Sequence, residues 1–378
     1  MKIAQISPLW ETVPPQLYGG TERIVSYLTE ELVRLGHDVT LFASGDSKTA
    51  ARLHPASPVA LRLKPGPVNC DAPLVVMMEQ AFGRDAAQFD IIHSHLDFLS
   101  FPISRRCATP TLTTLHGRLD LPEILPVFEE YSDMPVVSIS AAQRTPLPDA
   151  NWQGTVYHGL PDNLYSFHGR PGSYLAFLGR ISPEKRPDHA IEIAKRVGIP
   201  LRIAAKVDPA DRAYFEGQIE RLLDHPLIEY VGEITDAEKG DFLGNAAAVL
   251  CTYDWPEPFG LVLIEALACG TPVLAYRRGS IPEIIDDCVT GFVCDNLEEM
   301  VSAVGRLPLI ARRQCRKVFE ERFTVQRMTE DYLAIYERLA AVSAGAPAFA
   351  QAGSINHLKK NAGVMRLPRR QDAAQAPS

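Results

Sequence analysis

The feature that most constrains this chain is an alternation of strand and helix patterns that runs twice, on either side of one break rich in glycine and proline. The first run opens with an apolar stretch over residues 2–7 and a loop ending in Tyr18-Gly19-Gly20. It then reads as a helix at about 21–35, closed by Gly36, and a strand at 39–43. That is a βαβ unit, and such units lay their strands parallel in one sheet. Strand-like runs at Ile91-Ile92-His93, Thr111–Leu115, Val136–Ile139 and Thr155–Tyr157 extend it.

The break, His158–Gly172, reads H-G-L-P-D-N-L-Y-S-F-H-G-R-P-G, the punctuation of an interdomain linker. Beyond it the pattern predicts strands at Tyr174–Leu178, 201–205, 228–231, 249–252 and 273–275. Helices are expected between them at 187–197, 211–223, 237–247 and 259–269. With 378 residues the chain is long enough for two cores. The expected fold is α/β: two Rossmann-like, doubly wound parallel-sheet domains facing a cleft, over residues 1–165 and 166–324. A last helix over 325–344 carries Val325, Met328, Tyr332, Ile335 and Leu339 at helical spacing, so it should pack back on the domains. Residues 345–378 hold Ala, Gly, Pro, Gln and the basic cluster Lys359, Lys360, Arg366, Arg369 and Arg370; they read as a disordered tail, the alternative being peripheral contact with a membrane or a partner.

The bulk numbers remove several function classes. A formal charge of −8, from 38 basic against 46 acidic residues, argues against a general nucleic-acid binder, and an anionic ligand would need a focused site. Seven cysteines without a C-x-x-C pair suggest neither a zinc site nor a disulfide framework, which fits a reducing cytoplasm. No apolar stretch approaches membrane-spanning length and no signal peptide opens the chain, so a cytoplasmic protein without a transmembrane segment is expected.

The chemistry concentrates in Trp255-Pro-Glu257-Pro258-Phe259-Gly260-Leu261-Val262-Leu263-Ile264-Glu265-Ala-Leu-Ala-Cys-Gly-Thr-Pro272. Between Glu257 and Arg277 the one charged side chain is Glu265, and apolar residues surround it on every side of the helix. Glu265 is thus a carboxylate in a core. Left unpaired it costs several kcal/mol, so it must meet donors from the protein, such as a core arginine, or from a ligand such as a ribose diol. Pro258 suits a first helical turn, where the N–H groups of Phe259, Gly260 and Leu261 would face outward as an anion site and Gly260 would let a phosphate approach. Glu257 lies just ahead of that start, so the two carboxylates can address the two ends of one extended ligand.

Glu257, seven residues and Glu265 together resemble the E-x7-E motif of glycosyltransferase family four, retaining enzymes of the GT-B fold. Phe177-Leu178-Gly179-Arg180-Ile-Ser-Pro-Glu-Lys185 is similar to the family's G-R-x4-K stretch, and Gly279-Ser280-Ile-Pro-Glu283 to its later G-x-x-P-E turn, with serine at 280 where the family usually has glycine. Tyr18-Gly19-Gly20, Thr114-Leu-His116-Gly117 and Val156-Tyr-His158-Gly159 match further family features, so the resemblance spans roughly residues 1–340.

Arg180 and Lys185 follow a strand end, where α/β sheets bind ligands, and can neutralise a leaving diphosphate in place of a metal; alone, they could equally pair with Glu184 or Asp188. Gly19-Gly20 is a turn before a helix, without the G-x-G-x-x-G of dinucleotide binders; the resemblance implies that it touches the donor diphosphate or the transferred sugar. His116 emerges at the carboxyl edge of its strand; a lone histidine there is often structural, but the resemblance implies a cleft histidine that hydrogen-bonds the sugar. His93 and His95 share one face of a strand, the geometry of an H-x-H metal pair, but no third ligand is identifiable, and the resemblance implies cleft lining with His95 toward the acceptor.

The resemblance therefore implies a retaining, metal-independent, cofactor-free hexosyl transfer from a nucleotide-sugar donor, a UDP-sugar as the working choice, to a sugar, lipid-linked or small-molecule acceptor. Glu257 would hold sugar hydroxyls, Glu265 the ribose, and a donor phosphate oxygen would take the acceptor's proton. The rival readings are a non-hydrolysing nucleotide-sugar epimerase of the same fold and a noncatalytic nucleotide-sugar binder.

Overall fold

A computed structural model describes residues 1–64 and 69–345. Apart from Gly345, the tail expected to be disordered lies outside the described residues.

Thirteen strands form among the described residues, because each apolar run is short, rich in β-branched or small side chains, and bounded by turn residues. Seven make the first sheet: β1 (Lys2–Ile6), β2 (Asp38–Ser44), β3 (Arg52–Ser57), β4 (Ile91–Ser94), β5 (Thr111–Thr114), β6 (Val136–Ser138) and β7 (Trp152–Thr155), in the order β3-β2-β1-β4-β5-β6-β7. Six make the second: β8 (Tyr174–Arg180), β9 (Leu201–Lys206), β10 (Ile228–Gly232), β11 (Ala246–Cys251), β12 (Val273–Tyr276) and β13 (Gly291–Cys294), in the order β10-β9-β8-β11-β12-β13. Every pairing between named strands is parallel. The chain thus has the two Rossmann-like α/β domains expected, here the N-lobe and the C-lobe.

Five helices position the site: α1 (Gly20–Arg34), α2 (Pro187–Val197), α3 (Asp236–Gly244), α4 (Leu261–Ala268) and α5 (Val325–Gly345). α5 shows how the sequence ties the lobes together. Its apolar stripe, Val325, Met328, Tyr332, Ile335 and Tyr336, enters the N-lobe core beside Ile3, Ile24, Leu28, Ile91 and Leu112. Each such side chain contributes about 1.5–3 kcal/mol on burial, so the chain's last described helix is an integral part of the first domain's core. The two strands of chain that cross between lobes lie against each other: Leu160 donates its N–H to the Phe323 carbonyl (2.9 Å), and Val325 donates to the Leu160 carbonyl (2.8 Å).

The differences from expectation have local causes. β3 was not anticipated because Pro55 interrupts it, but β3 is an edge strand, where a missing N–H is tolerated. β13, a four-residue edge strand, was not anticipated either. The strand expected at Thr155–Tyr157 lies earlier, at Trp152–Thr155, because the chain turns toward the lobe crossing after Thr155. The helix expected over 211–223 breaks into short pieces, with Gly217 inside a widened π-type turn at Phe215–Ile219, and an interior glycine weakens an α-helical run.

Candidate active site

In each sheet the order of strands reverses once, at β1/β4 and at β8/β11, and open α/β sheets bind ligands outside the carboxyl ends of strands at such points. A cleft of about 590 Å³ opens there. Its N-lobe wall includes Gly19, Gly20, His95 and His116, and its C-lobe wall Gly179, Arg180, Lys185, Glu257, Phe259, Gly260, Leu261 and Glu265. The structure thus brings these twelve residues to one cavity, whereas His93, Ser280 and Glu283 are not part of its lining.

The E-x7-E segment differs from its expected geometry in one respect. α4 begins at Leu261, not Phe259, and Pro258 lies outside its first turn. The cause is Gly260, whose φ of +83° is a left-handed conformation that glycine adopts without a side-chain clash and that cannot continue a helix. The N–H groups that face the cleft from the helix start are then those at Gly260, Leu261 and Val262, and Leu263 already bonds back to the Gly260 carbonyl (3.0 Å). The loop ahead of α4 is clamped from behind. Ser280 is fully buried, donates its N–H to the Glu257 carbonyl (3.0 Å) and its hydroxyl to the Phe259 carbonyl (2.8 Å). Gly279 permits that approach: at φ +52° a Cβ there would stand 2.3 Å from the Glu257 carbonyl oxygen. The turn that resembles G-x-x-P-E therefore supports the carboxylate loop, and its Glu283 reaches the N-lobe, accepting from the N–H groups of Ala141 (2.8 Å) and Ala142 (2.7 Å) and from the Tyr157 hydroxyl (3.0 Å).

Across the cleft α1 starts at Gly20, and a Cβ on Gly20 would lie 3.6 Å from Leu261 Cδ1. Two helix N-termini from different lobes thus adjoin, and each carries partial positive charge on its free N–H groups. A Cβ on Gly179 would meet nothing within 4 Å, so a side chain there would enter the cleft itself.

The carboxylates and cations are cross-paired. Glu265, 3% exposed, accepts on Oε1 from Lys239 Nζ (3.1 Å) and the Tyr165 hydroxyl (3.4 Å); Oε2 has no hydrogen bond to a described residue. Its partner is a lysine of α3, not a core arginine. Glu257 Oε2 accepts from Lys185 Nζ (2.5 Å) and Trp255 Nε1 (3.0 Å), while Lys185 Nζ also sits 3.8 Å above the Tyr253 ring. Arg180 pairs with Glu184 and, through Nε at 3.2 Å, with Asp211. Lys239 further bridges to Asp236 (3.1 Å), which binds Arg23 of α1, and Tyr18 donates its N–H to Glu233 (3.3 Å). Arg23, Asp236 and Lys239, which join the lobes behind Glu265, escaped the sequence reading. The i, i+3 spacing of Asp236 and Lys239 was its only trace.

The histidines of the N-lobe wall are neutral. His116 accepts no charge from a carboxylate side chain; its N–H on the backbone is held by Asp97 (2.8 Å), its Nε2 lies 2.9 Å from His95 Nδ1, and burial lowers its pKa to about 3. Burial likewise holds His93, His95 and His158 well below the usual histidine range. His95 is 1% exposed and its other nitrogen meets Gln5 (2.9 Å), so both nitrogens are already engaged by protein. His93 is occupied by Tyr336 (2.6 Å) and Thr114 (2.8 Å). Among the described residues no group of three His, Cys, Asp or Glu is arranged to hold a metal ion. His158 stacks on His116 at 5.4 Å and packs edge-on against Phe259 at 4.7 Å, closing the cleft floor.

Two facing Rossmann-like lobes, a cleft at both switch points, and paired helix N-termini flanked by the two carboxylates define a glycosyltransferase of the GT-B type. Residues 18–135 match the model described as Glycosyltransferase Family 4, and residues 169–309 the model described as Glycosyl transferases group 1. The chain belongs to this family of glycosyltransferases. It is 29% identical over 401 residues to the D-inositol 3-phosphate glycosyltransferase of Saccharomonospora viridis, covering 86% of this chain and 91% of that one. It is 24% identical over 394 residues to the glycogen synthase of Mycobacterium tuberculosis, covering 88% and 91%. Among solved structures, AviGT4, a glycosyltransferase involved in avilamycin A biosynthesis, superposes with a TM-score of 0.66 at 24% identity, over 92% of this chain and 99% of its own. Anabaena HepE in complex with UDP and glucose gives 0.68 at 19% identity, over 89% and 100%. No helix among the described residues is long and apolar enough to cross a membrane.

Proposed function

We propose that this glycosyltransferase moves a hexose from a nucleoside-diphosphate donor, a UDP-sugar, to an acceptor hydroxyl with retention of anomeric configuration and without a divalent metal. The observation that carries the proposal is the apposition of the α1 and α4 N-termini at Gly20 and Leu261, with Lys185 and Arg180 lining the same cleft. A diphosphate placed there meets N–H groups and cations from both sides, and the negative charge that grows on it as the sugar leaves is stabilised without reorganisation. Lys185 has three donors and spends one on Glu257, so it can hold phosphate and the carboxylate together. Glu265, which lines the cleft and whose Oε2 has no hydrogen bond to a described residue, suits a ribose diol, and Glu257 the hydroxyls of the transferred sugar. His116 hydrogen-bonds that sugar from the N-lobe side. A donor phosphate oxygen takes the acceptor's proton, so no protein nucleophile is needed. The acceptor is a sugar, a lipid-linked sugar or a small polyol; the inositol phosphate in the Saccharomonospora relative's name makes a phosphorylated cyclitol the first acceptor to try.

The test is a thermal-shift screen with UDP, GDP, ADP and their sugars in the presence of EDTA, followed by product analysis with an acceptor panel, since a ligand of the folded state raises the melting temperature by mass action. A selective shift with a UDP-sugar, and a product whose linkage keeps the donor's anomeric configuration, are expected. A shift with GDP alone moves the donor to GDP-sugars, an epimerised donor formed without acceptor replaces transfer by epimerisation, and silence with every nucleotide leaves the proposal without its donor.

A further inference from the structure

We propose that Gln5 and Tyr336 are positioning residues that fix the ring tautomer of His116, so that it presents an unprotonated Nδ1 to the cleft; this rests on the reading above that His116 contacts the donor sugar.

Gln5 is a polar residue on the central strand β1 and is fully buried, a costly place for an amide unless each of its polar atoms is satisfied. Its Nε2 donates to the Tyr336 hydroxyl (3.0 Å), which must therefore give its own proton elsewhere, and His93 Nδ1 stands 2.6 Å away to accept it. His93 then carries its proton on Nε2 and donates to Thr114 Oγ1 (2.8 Å), whose hydroxyl in turn meets that of Tyr332 (2.9 Å). On the other side, the amide oxygen of Gln5 accepts from His95 Nε2 (2.9 Å). A neutral imidazole protonated on Nε2 has a lone pair on Nδ1, and His95 Nδ1 lies 2.9 Å from His116 Nε2. His116 is then the donor in that contact, its proton is on Nε2, and its Nδ1 is a bare acceptor.

Two further observations support this. His116 Nδ1 has no hydrogen-bond partner among the described residues, although the ring lines the cleft. The rings remain neutral because no carboxylate side chain bonds to any of them and burial disfavours the charged form, so the tautomer is the one variable left. The orientation comes from far along the chain: Tyr332 and Tyr336 belong to α5, which enters the N-lobe core only after the chain has built the C-lobe. A chain without α5 in place would leave the Gln5 amide free to turn over and the sense of the network undefined. A bare Nδ1 selects a hydroxyl that can donate, and the helix that returns from the second domain thereby sets how the first domain reads the sugar.

The experiment is ring nitrogen–proton correlation NMR on the full chain labelled with 15N-histidine, with resonances assigned through His95→Asn and His116→Asn, alongside kcat and KM for sugar transfer. Wild type should show Nε2–H tautomers at His93, His95 and His116. Tyr336→Phe keeps the ring and removes only the hydroxyl, and Gln5→Met keeps the volume and removes the amide. Both should mix the His95 and His116 tautomers and lower kcat about threefold, less than His116→Asn itself, with the donor KM changed less than about twofold. An Nδ1–H tautomer at His116 in the wild type overturns the proposal, as do spectra unaltered in both variants. Mixed tautomers with unaltered kcat uphold the fixed tautomer and overturn instead the contact between His116 and the donor.

Discussion

On the C-lobe wall of the cleft stand Arg180, Lys185, Glu257 and Glu265, each ionic, each borne on a strand end, loop or helix, and each already paired with a protein charge. On the N-lobe wall stand His95 and His158, buried, and His116, half-buried, with no carboxylate side chain bonded to any of their rings and with burial favouring the neutral form of each. Hydrogen bonds to charged groups contribute about 1.5–3 kcal/mol where neutral ones contribute about 0.5–1.5, so the C-lobe should carry affinity for an ionic donor and the N-lobe the discrimination among hydroxyls. The same division explains why the C-lobe cations are cross-paired with Glu184, Asp211 and Glu257: the carboxylate of Glu257 is buried, and leaving it unpaired would destabilise the domain.

Substitutions can break this contrast. The largest effect is expected from Glu265→Ala, which should weaken donor binding by about 4 kcal/mol, close to a thousandfold in Kd by calorimetry, while Lys239 keeps Asp236 and the fold survives. Unchanged affinity would remove the ribose site from this helix. Next, Lys185→Ala should lower kcat by about 3 kcal/mol in barrier terms, between a hundredfold and a thousandfold, and EDTA should leave both proteins' rates alone. Restoration of the variant's rate by added magnesium would be compatible with the cation's role, but a wild-type rate that collapses in EDTA would not be compatible with metal-independent transfer.

The third effect belongs to the N-lobe histidines and appears in stability. The unfolded chain takes up protons on histidine below about pH 6.5, whereas folded His116 stays neutral down to about pH 3, so the unfolded state gains and stability falls with pH across that window. His116 alone should make the protein about 2 kcal/mol less stable at pH 5 than at pH 7.5. Asp97 and Glu22, whose pKa values burial raises, act in the opposite direction, so the informative quantity is the difference from His116→Asn. Denaturant melts across that range should show a flatter pH dependence for the variant, and parallel curves would show that His116 titrates normally in the folded protein. The smallest effect is expected in turnover: His116→Asn should cost about 1 kcal/mol in kcat with little change in donor affinity, and a loss as large as that of Lys185→Ala would erase the distinction between the walls.

What was legible in the sequence follows the same contrast. Glu265 could be found because it is the one charge in a run of apolar residues, a local signal. Its partner Lys239 lies on another helix in an ordinary polar stretch, and nothing nearby marks it. Gly19-Gly20 and His116 could be placed at strand ends from periodicity, and the structure brings both to the cleft. The early start assigned to α4 came from reading Pro258 as a helix-initiating residue; the left-handed backbone at Gly260, which decides the matter, depends on the 279–280 turn packed behind it. His93 and His95 showed a shared strand face, but the partners that occupy their nitrogens, Gln5, Thr114, His116 and Tyr336, come from three separate parts of the chain.

The sequence by itself determined the two α/β domains, the carboxyl-edge placement of the candidate residues and the buried carboxylate, because backbone periodicity and the cost of an isolated charge act over a few residues. Only the tertiary structure decided that α5 completes the first domain's core, that Arg180, Lys185 and Lys239 already have acidic partners, and in which sense the histidines pass their hydrogen bonds. Those outcomes depend on groups as much as 331 residues apart meeting at hydrogen-bond distance, as Gln5 and Tyr336 do. Such a meeting is fixed by the packing of whole layers and leaves no periodic trace in the chain.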